Sequence, residues 1–272
     1  MNPARVVITA SHDRSEPSEA LAELLRRDGI RIEGILSVSV LNLWRFRTLV
    51  RQRGLSAVLR RAREAFTSRG AGSGAAKHDR PDPLREFLGR HGIKTRGLRR
   101  WCRLHRVPVW NVADLNSPAA IATVRTVAPD AVVYTGGGIL RRQFIDAAGR
   151  VLNAHAGPLP EIRGMNAAEW AALLGERSEI TIHHIDAGID TGSVVRAYAY
   201  DCSACMSVSE LRATAVVRGL EGLREVVGQL GCREAVQYAE DARPSRQCFI
   251  MAAAIRELLD RRLAARGAGS GA

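Results

Sequence analysis

A doubly wound α/β domain built on a mostly parallel sheet is what this sequence predicts, on three observations. Short β-branched runs alternate with longer stretches of helical period, Gly- and Asp-containing turns separate them, and the first three elements read β-α-β. A β-α-β opening implies a parallel pair joined by a right-handed crossover.

The elements follow in order. Residues 5–10 are a β-branched run, and residues 18–27 place Leu21, Leu24 and Leu25 on one helical face before Asp28-Gly29 stops the helix. Strand character returns over 30–40. From Leu43 to Phe66 apolar residues recur with a 3.6-residue period between arginines, predicting a basic amphipathic helix or helix pair broken near Gly54. Arg69-Gly-Ala-Gly-Ser-Gly-Ala75 reads as a flexible linker, and the same seven residues recur over 266–272 as a flexible tail. Short helices at 83–90 and 97–105 lead into a strand at 107–112. Alternation then resumes: helix 118–127, strand 131–135, the loop Gly136-Gly-Gly138, a helix from about Arg141, strands 151–154, 181–185 and 193–200, and helices 208–230 and 252–265. The organisation expected is a first α/β part over 1–40, an inserted basic helical segment over 41–106, the rest of the domain over 107–230, and a C-terminal helical extension with its tail over 231–272. An open sheet of this kind binds its ligands beyond the carboxyl ends of its strands.

Composition limits what such a domain can be. Of 272 residues, 46% are hydrophobic and 25% charged, proportions of a soluble globular chain and not of a disordered one. The sequence has no apolar run of the ~18–20 residues a membrane helix needs, and its N-terminus offers no secretory h-region. The five cysteines, at 102, 202, 205, 232 and 248, are odd in number and scattered, which fits a reducing, cytoplasmic setting. The net charge of +12 is local. Residues 41–106 hold eighteen Arg and Lys against four Asp and Glu, more than the whole net charge, so any RNA or anionic-membrane contact is expected there. The bland alternative is a solvated basic face, since all the basic residues except Lys77 and Lys94 are arginine. Cys202-Ser-Ala-Cys205 has the spacing of half a zinc site without a second pair, and no metal is expected. Gly136-Gly-Gly138 lacks the Lys/Ser continuation of a P-loop.

The chemistry concentrates in two stretches. In Val151-Leu-Asn153-Ala-His155-Ala-Gly-Pro-Leu-Pro160, Asn153 and His155 alternate at the end of a strand, so both leave it on one face. An amide donor beside an imidazole suits acyl transfer, in which an oxyanion develops and an attacking amine loses a proton. In Ile180-Thr-Ile-His183-His184-Ile-Asp186-Ala-Gly188-Ile-Asp190-Thr-Gly192 a strand runs into a turn carrying two carboxylates. Asp190 folded back onto His155 would raise the imidazole pKa and orient the ring, and Asp186 competes for that role. Both aspartates could instead hydrogen-bond their own turn amides.

Together these stretches resemble the folate-dependent formyltransferase family, whose members include glycinamide ribonucleotide, methionyl-tRNA and nucleotide-sugar formyltransferases. The likeness covers about residues 100–200 closely and 1–40 loosely. Asn153-Ala-His155 stands at the family's Asn-x-His, Pro158-Leu-Pro160-Glu-Ile-Arg163-Gly164 at its Leu-Leu-Pro-x-x-Arg-Gly, and Ile189-Asp190-Thr-Gly192 at its Asp-x-Gly turn. Ala156-Gly157 replaces the commoner Pro-Ser or Gly-Ser after the histidine.

The resemblance implies a Rossmann-type formyltransferase domain with Asn153, His155 and Asp190 as the catalytic trio. It also implies 10-formyltetrahydrofolate as formyl donor, its pterin wrapped by Gly138, Ile139 and Leu140 and by the turn with Asp186, Ala187 and Gly188. The expected activity is N-formylation of a small-molecule amine, a nucleotide-linked amino sugar among the candidates. The alternatives are a methionyl-tRNA formyltransferase-like activity, hydrolysis of formyltetrahydrofolate, and a non-catalytic binding protein on the same scaffold.

Overall fold

The computed structural model describes residues 3–38, 82–230 and 244–269. In chain order the elements are β1 (Arg5–Ala10), α1 (Glu16–Arg27), β2 (Arg31–Val38), α2 (Pro83–Arg90), α3 (Leu98–His105), β3 (Val109–Val112), α4 (Pro118–Val127), β4 (Ala131–Thr135), α5 (Arg142–Ala148), β5 (Val151–His155), β6 (Ile162–Gly164), α6 (Ala167–Leu174), β7 (Glu179–His184), β8 (Val194–Ala199), α7 (Val208–Gly228), β9 (Arg246–Cys248) and α8 (Ala253–Gly269).

Seven strands pair in the order β3-β2-β1-β4-β5-β7-β8. The first five run parallel, and β7 is antiparallel to both β5 and β8, so a single strand opposes the other six. The mostly parallel α/β sheet expected from sequence is present. Strand order reverses at β1, which has β2 on one side and β4 on the other; crevices for ligands open at such a point.

Local sequence explains the boundaries. Ser15 caps α1 by accepting the Ser18 N–H, Pro17 occupies the first turn, and Glu16 and Glu19 near the start with Arg26 and Arg27 at the end complement the helix dipole. Ser117 and Pro118 begin α4 in the same way. Period-two alternation sorts each central strand between two apolar layers. Val6, Ile8, Val133 and Leu152 join α1, α2, α3, α7 and α8 in the larger cluster, while Val7, Val132 and Val151 face α4 and α5 in the smaller.

Two carboxylates pin α3 to α1. Glu19, 2% exposed, accepts the Arg96 and Gly97 N–H groups at 2.8 Å each. Glu23 accepts from the Trp101 indole at 3.0 Å and from Arg26 and Arg27. These contacts revise the expectation of an insertion running to 106. Phe87, Leu88, Ile93, Leu98, Trp101 and Cys102 are buried in the larger cluster, and α2 and α3 form part of the crossover joining the neighbouring parallel strands β2 and β3. Their arginines disguise a core face in the sequence. The amphipathic stretch 43–66, the linker 69–75, Trp44 and Cys232 lie outside the described residues, as does any RNA or membrane contact made through them.

Three elements were not foreseen: α6, and β6 and β9, which pair as a separate parallel ribbon. At the C-terminus α8 continues through Gly269, four residues into the segment expected as a tail. Among the described residues Cys102, Cys202, Cys205 and Cys248 are free thiols, and no helix is long and apolar enough to cross a membrane.

The cation and indole donors hold the Glu23 carboxyl down to about 2, against the opposing effect of its burial. A depressed folded-state pKa contributes stability above the unfolded value of about 4.3 and loses it as pH falls toward 2. Glu23→Gln is therefore expected to cost roughly 1–2 kcal/mol at pH 7 in urea unfolding, with the gap to the parent narrowing between pH 5 and pH 3. A pH-independent gap would mean that the charge of Glu23 contributes nothing.

Candidate active site

β5 supplies the first two side chains of the site. Val151 belongs to the smaller cluster and Leu152 to the larger, so Asn153 and His155 leave the strand on the Val151 face. Antiparallel pairing sets His183 of β7 opposite Asn153 and Thr181 opposite His155, on that same face. Beyond His184 the chain turns through Asp186-Ala-Gly188-Ile-Asp190. Asp186 holds this turn together, accepting the Gly188 N–H at 3.0 Å and the Thr191 hydroxyl at 2.6 Å. Of the two competing carboxylates it is therefore Asp190 that folds back. Its Oδ2 lies 3.4 Å from His155 Nδ1, and its Oδ1 lies 3.7 Å from His183 Nε2.

The β6–β9 ribbon anchors Asp190 from outside the sheet. The Gly164 N–H donates to Asp190 Oδ2 at 2.8 Å, and Arg163 donates to the Ile189 carbonyl and the Ser245 hydroxyl. Gly164 has φ +96, and a Cβ there would lie 2.1 Å from the Cys248 carbonyl oxygen, so only glycine lets β9 approach this closely. The Arg-Gly pair of the sequence motif thus places the carboxylate from behind.

Both imidazoles are deeply buried, His155 at 5% exposure and His183 at 1%, with their rings edge to face at 6.1 Å. His155 Nε2 stands 2.7 Å from the Ile162 carbonyl oxygen. A carbonyl only accepts, so Nε2 carries a proton and Nδ1 is the nitrogen that faces Asp190. The sequence led us to expect that Asp190 raises the His155 pKa. Asp190 does pull it upward, but burial outweighs that pull and the net shift is downward. For His183, burial followed by the neighbouring His155 brings the value down to about 4, against the attraction of Asp190. His183 Nδ1 lies 2.8 Å from the His184 carbonyl, and Nε2 lies 3.0 Å from Asn153 Nδ2.

His183 is thus a member of the constellation that sequence reasoning passed over. A signal for it was available: His183 shares a strand face with Thr181 and precedes Asp190 by seven residues.

The loop after β4 is tied down. Tyr134 donates to the Gly138 carbonyl at 2.8 Å, Asn116 donates to the Ile139 carbonyl at 2.9 Å, and the Arg141 N–H donates to Asn116. Ile139 is exposed, whereas Leu140 is buried in the smaller cluster, against which Ile185 also packs. Of the backbone groups expected to meet a pterin, the carbonyls of Gly138 and Ile139 and the N–H of Gly188 already have partners within the chain. Tyr134 faces Asn153 across the β4–β5 pair and senses the charge of Asp190, so loop, turn and trio meet at one place.

A cleft of about 460 Å³ opens beside Asn153 and His155, bordered by Pro17 at the start of α1, Thr135 and Gly136 after β4, and Asn166 and Glu169 near α6. Its far wall is apolar, from Ala215, Val216 and Leu220 of α7. Glu169, almost buried, is held by Arg212 and Asn166. At Gly157 a Cβ would lie 2.9 Å from Ala167 Cβ and 3.3 Å from His155 Nε2, so this chain has no space at that position for the usual serine without a shift of α6. Among the described residues no group of three His, Cys, Asp or Glu side chains is arranged to hold a metal ion.

Comparison with known proteins places the chain in a family. The formyl transferase family model matches residues 70–227. A methionyl-tRNA formyltransferase of Anaeromyxobacter dehalogenans is 31% identical over 170 residues, covering 61% of this chain and 53% of its own. One from Acetivibrio thermocellus is 28% identical over 160 residues, or 58% and 47%. The chain spans about half the length of these curated relatives. Among solved structures, a sugar N-formyltransferase from Shewanella sp FDAARGOS_354 superposes with a TM-score of 0.56 at 12% identity, covering 96% of this chain and 87% of that one. Phosphoribosylglycinamide formyltransferase from Streptococcus pneumoniae TIGR4 gives 0.53 at 17% identity, covering 84% and 98%. At such identities the likeness is one of fold.

The opposing effects on His155 can be separated by titration. In side-chain NMR the parent His155 is expected to titrate below the ordinary histidine range and to be neutral at pH 7 with its proton on Nε2. Asp190→Asn removes the one charge that favours the imidazolium, so the midpoint should move lower still. A midpoint unchanged by Asp190→Asn would show that this carboxylate does not act on the ring.

Proposed function

Because this chain belongs to the formyl transferase family, we propose that it transfers a formyl group from 10-formyltetrahydrofolate to the amine of a small molecule, with a nucleotide-linked amino sugar as the first acceptor to test. The observation that carries this reading is the meeting of the Asn153 amide with the His155–Asp190 pair at the edge of an open cleft. The residues around Gly138 and Asp186 fit a flat heteroaromatic donor. Ile139 offers an exposed apolar side chain, and the surrounding backbone is held in place by Tyr134, Asn116 and Asp186. When bound, 10-formyltetrahydrofolate supplies the formyl carbon: its bond to N10 breaks as the bond to the amine forms, one proton leaving the amine nitrogen and one reaching N10.

The chain's own residues divide the work. Asn153 lines the cleft with its Nδ2 3.0 Å from His183 Nε2, and its role is to give an N–H to the formyl oxygen as that atom gains negative charge; a fixed donor at such a position stabilises a transition state without reorganising. Neutral His155 has its Nε2 proton committed to Ile162, so its Nδ1 lone pair faces the acceptor oxygen of Asp190. Two acceptors 3.4 Å apart form a pair that lacks a proton. We read it as the acceptor of the proton that leaves the amine, with the added charge shared between imidazole and carboxylate. Asp190, at 20% side-chain exposure the less buried partner, is the entry point.

The Shewanella sugar N-formyltransferase is matched over 87% of its length and the Streptococcus pneumoniae phosphoribosylglycinamide formyltransferase over 98%, against about half for the methionyl-tRNA formyltransferases, which supports a small-molecule amine. A second reading, an aminoacyl-tRNA acceptor, rests on the curated relatives from Anaeromyxobacter dehalogenans and Acetivibrio thermocellus, both named methionyl-tRNA formyltransferases. Hydrolysis needs only water in place of the amine. Incubating the protein and 10-formyltetrahydrofolate with nucleotide-linked amino sugars, methionyl-tRNA or no acceptor, and following formyl-amine and formate by mass spectrometry, distinguishes the three.

Asn153→Ala and His155→Ala are each expected to lower the transfer rate roughly a hundredfold with the fold intact, the usual consequence of losing one oxyanion donor or the general base. Rates within a few-fold of the parent would remove both residues from the chemistry.

A further inference from the structure

The amide of Asn153 has two ends of nearly identical shape, one donating and one accepting, and only the donating end can stabilise an oxyanion. Something must choose which end faces the cleft. The choice can be followed back through two hydrogen bonds to the main chain.

His183 Nδ1 lies 2.8 Å from the His184 carbonyl oxygen, an atom with no proton to give, so Nδ1 must carry the ring proton. The ring is neutral: it is 1% exposed, and burial together with His155 keeps it so down to about pH 4. A neutral ring with its proton on Nδ1 has a lone pair on Nε2. That lone pair points at Asn153 Nδ2 from 3.0 Å and can only accept. An amide turned the other way would set its carbonyl oxygen against the same lone pair, two acceptors in a buried place. The NH2 end is therefore fixed on His183, and its second N–H is available to the cleft that Asn153 lines.

The register of the strands supports this chain of dependence. Asn153 and His183 are directly opposed in the β5–β7 pair, so their contact is a cross-strand contact set by the sheet and not by a mobile loop. Asp190 Oδ1, 3.7 Å from Nε2, adds a second acceptor on the same side and further disfavours a reversed amide oxygen there.

We propose that His183 is a positioning residue for formyl transfer: the His184 carbonyl sets its tautomer, and its Nε2 sets the orientation of the Asn153 amide. It touches neither substrate and acts through Asn153. The kinetic side of this proposal rests on the formyl-transfer reading given above; the hydrogen-bond side does not.

Two measurements test it. The first is nitrogen NMR of the labelled full-length protein at pH 7. The expected result is a neutral His183 with its proton on Nδ1 and an unprotonated Nε2; a proton on Nε2, or a charged ring, overturns the proposal whether or not the protein transfers a formyl group. The second is a double-mutant cycle in steady-state transfer. His183→Leu removes the acceptor and is expected to lower kcat roughly ten- to hundredfold with KM for donor and amine within a few-fold of the parent, since a misaligned donor is lost only where charge develops. Combined with Asn153→Ala it should add nothing further, because the amide it positions is gone. Losses that multiply, or a His183→Leu rate near the parent's, overturn the proposal. Should His183→Leu fail to fold, His183→Gln keeps a carbonyl acceptor and carries the same cycle, with a kcat expected closer to that of the parent. If no amine is formylated by the parent, the functional reading fails while the tautomer measurement still decides the hydrogen-bond claim.

Discussion

The antiparallel pairing of β5 with β7 is the constraint from which the site follows. It faces Asn153 with His183 and His155 with Thr181, and Thr181 in turn donates to the Gly157 carbonyl at 2.8 Å, holding the turn that follows His155. Side chains on a strand alternate strictly, so slipping this pair by one residue would put Ala154 and Ile182 where the polar groups stand. Ile182 is fully buried in the larger cluster, which makes that slip costly. Hydrophobic sorting of the alternate residues therefore fixes the polar ones as well.

Burial then decides the protonation states. At this buried position loss of solvent penalises an imidazolium more than one nearby carboxylate favours it, so both histidines are shifted toward the neutral form despite Asp190. Neutral rings have defined tautomers, and defined tautomers give direction to each hydrogen bond. The Ile162 and His184 carbonyls set those tautomers from the backbone, while the Gly164 N–H holds the carboxylate. In this way main-chain groups from β6 and β7 specify the orientation of a site whose reactive groups are side chains.

Much of this was legible in sequence, and what was not has physical reasons. Alternation at Asn153 and His155 follows from strand period alone, and the sheet from β-branched runs separated by helical period. The return of Asp190 was suggested by the family motif; the structure adds that Asp186 is occupied by its own turn. His183 was missed because a histidine inside Ile-Thr-Ile-His reads as part of a core strand, and its partner stands thirty residues away. The β6–β9 ribbon has three residues in each strand, too few for a periodic signal, and depends on a contact between residues 162–164 and 246–248. The core role of α2 and α3 was hidden by arginines, since the basic count registers the solvent face and not Phe87 or Trp101 beneath it.

The central claim, that a folate binds where the β5 and β7 side chains meet the Gly138 loop, is tested most directly by titrating folinic acid, a formyl-folate, into histidine-labelled protein. The account predicts saturable binding that shifts the ring resonances of both His155 and His183 and leaves His91, which caps α2 and does not line this cleft, unmoved. Binding that moves neither active-site ring, or no binding at all, would contradict it.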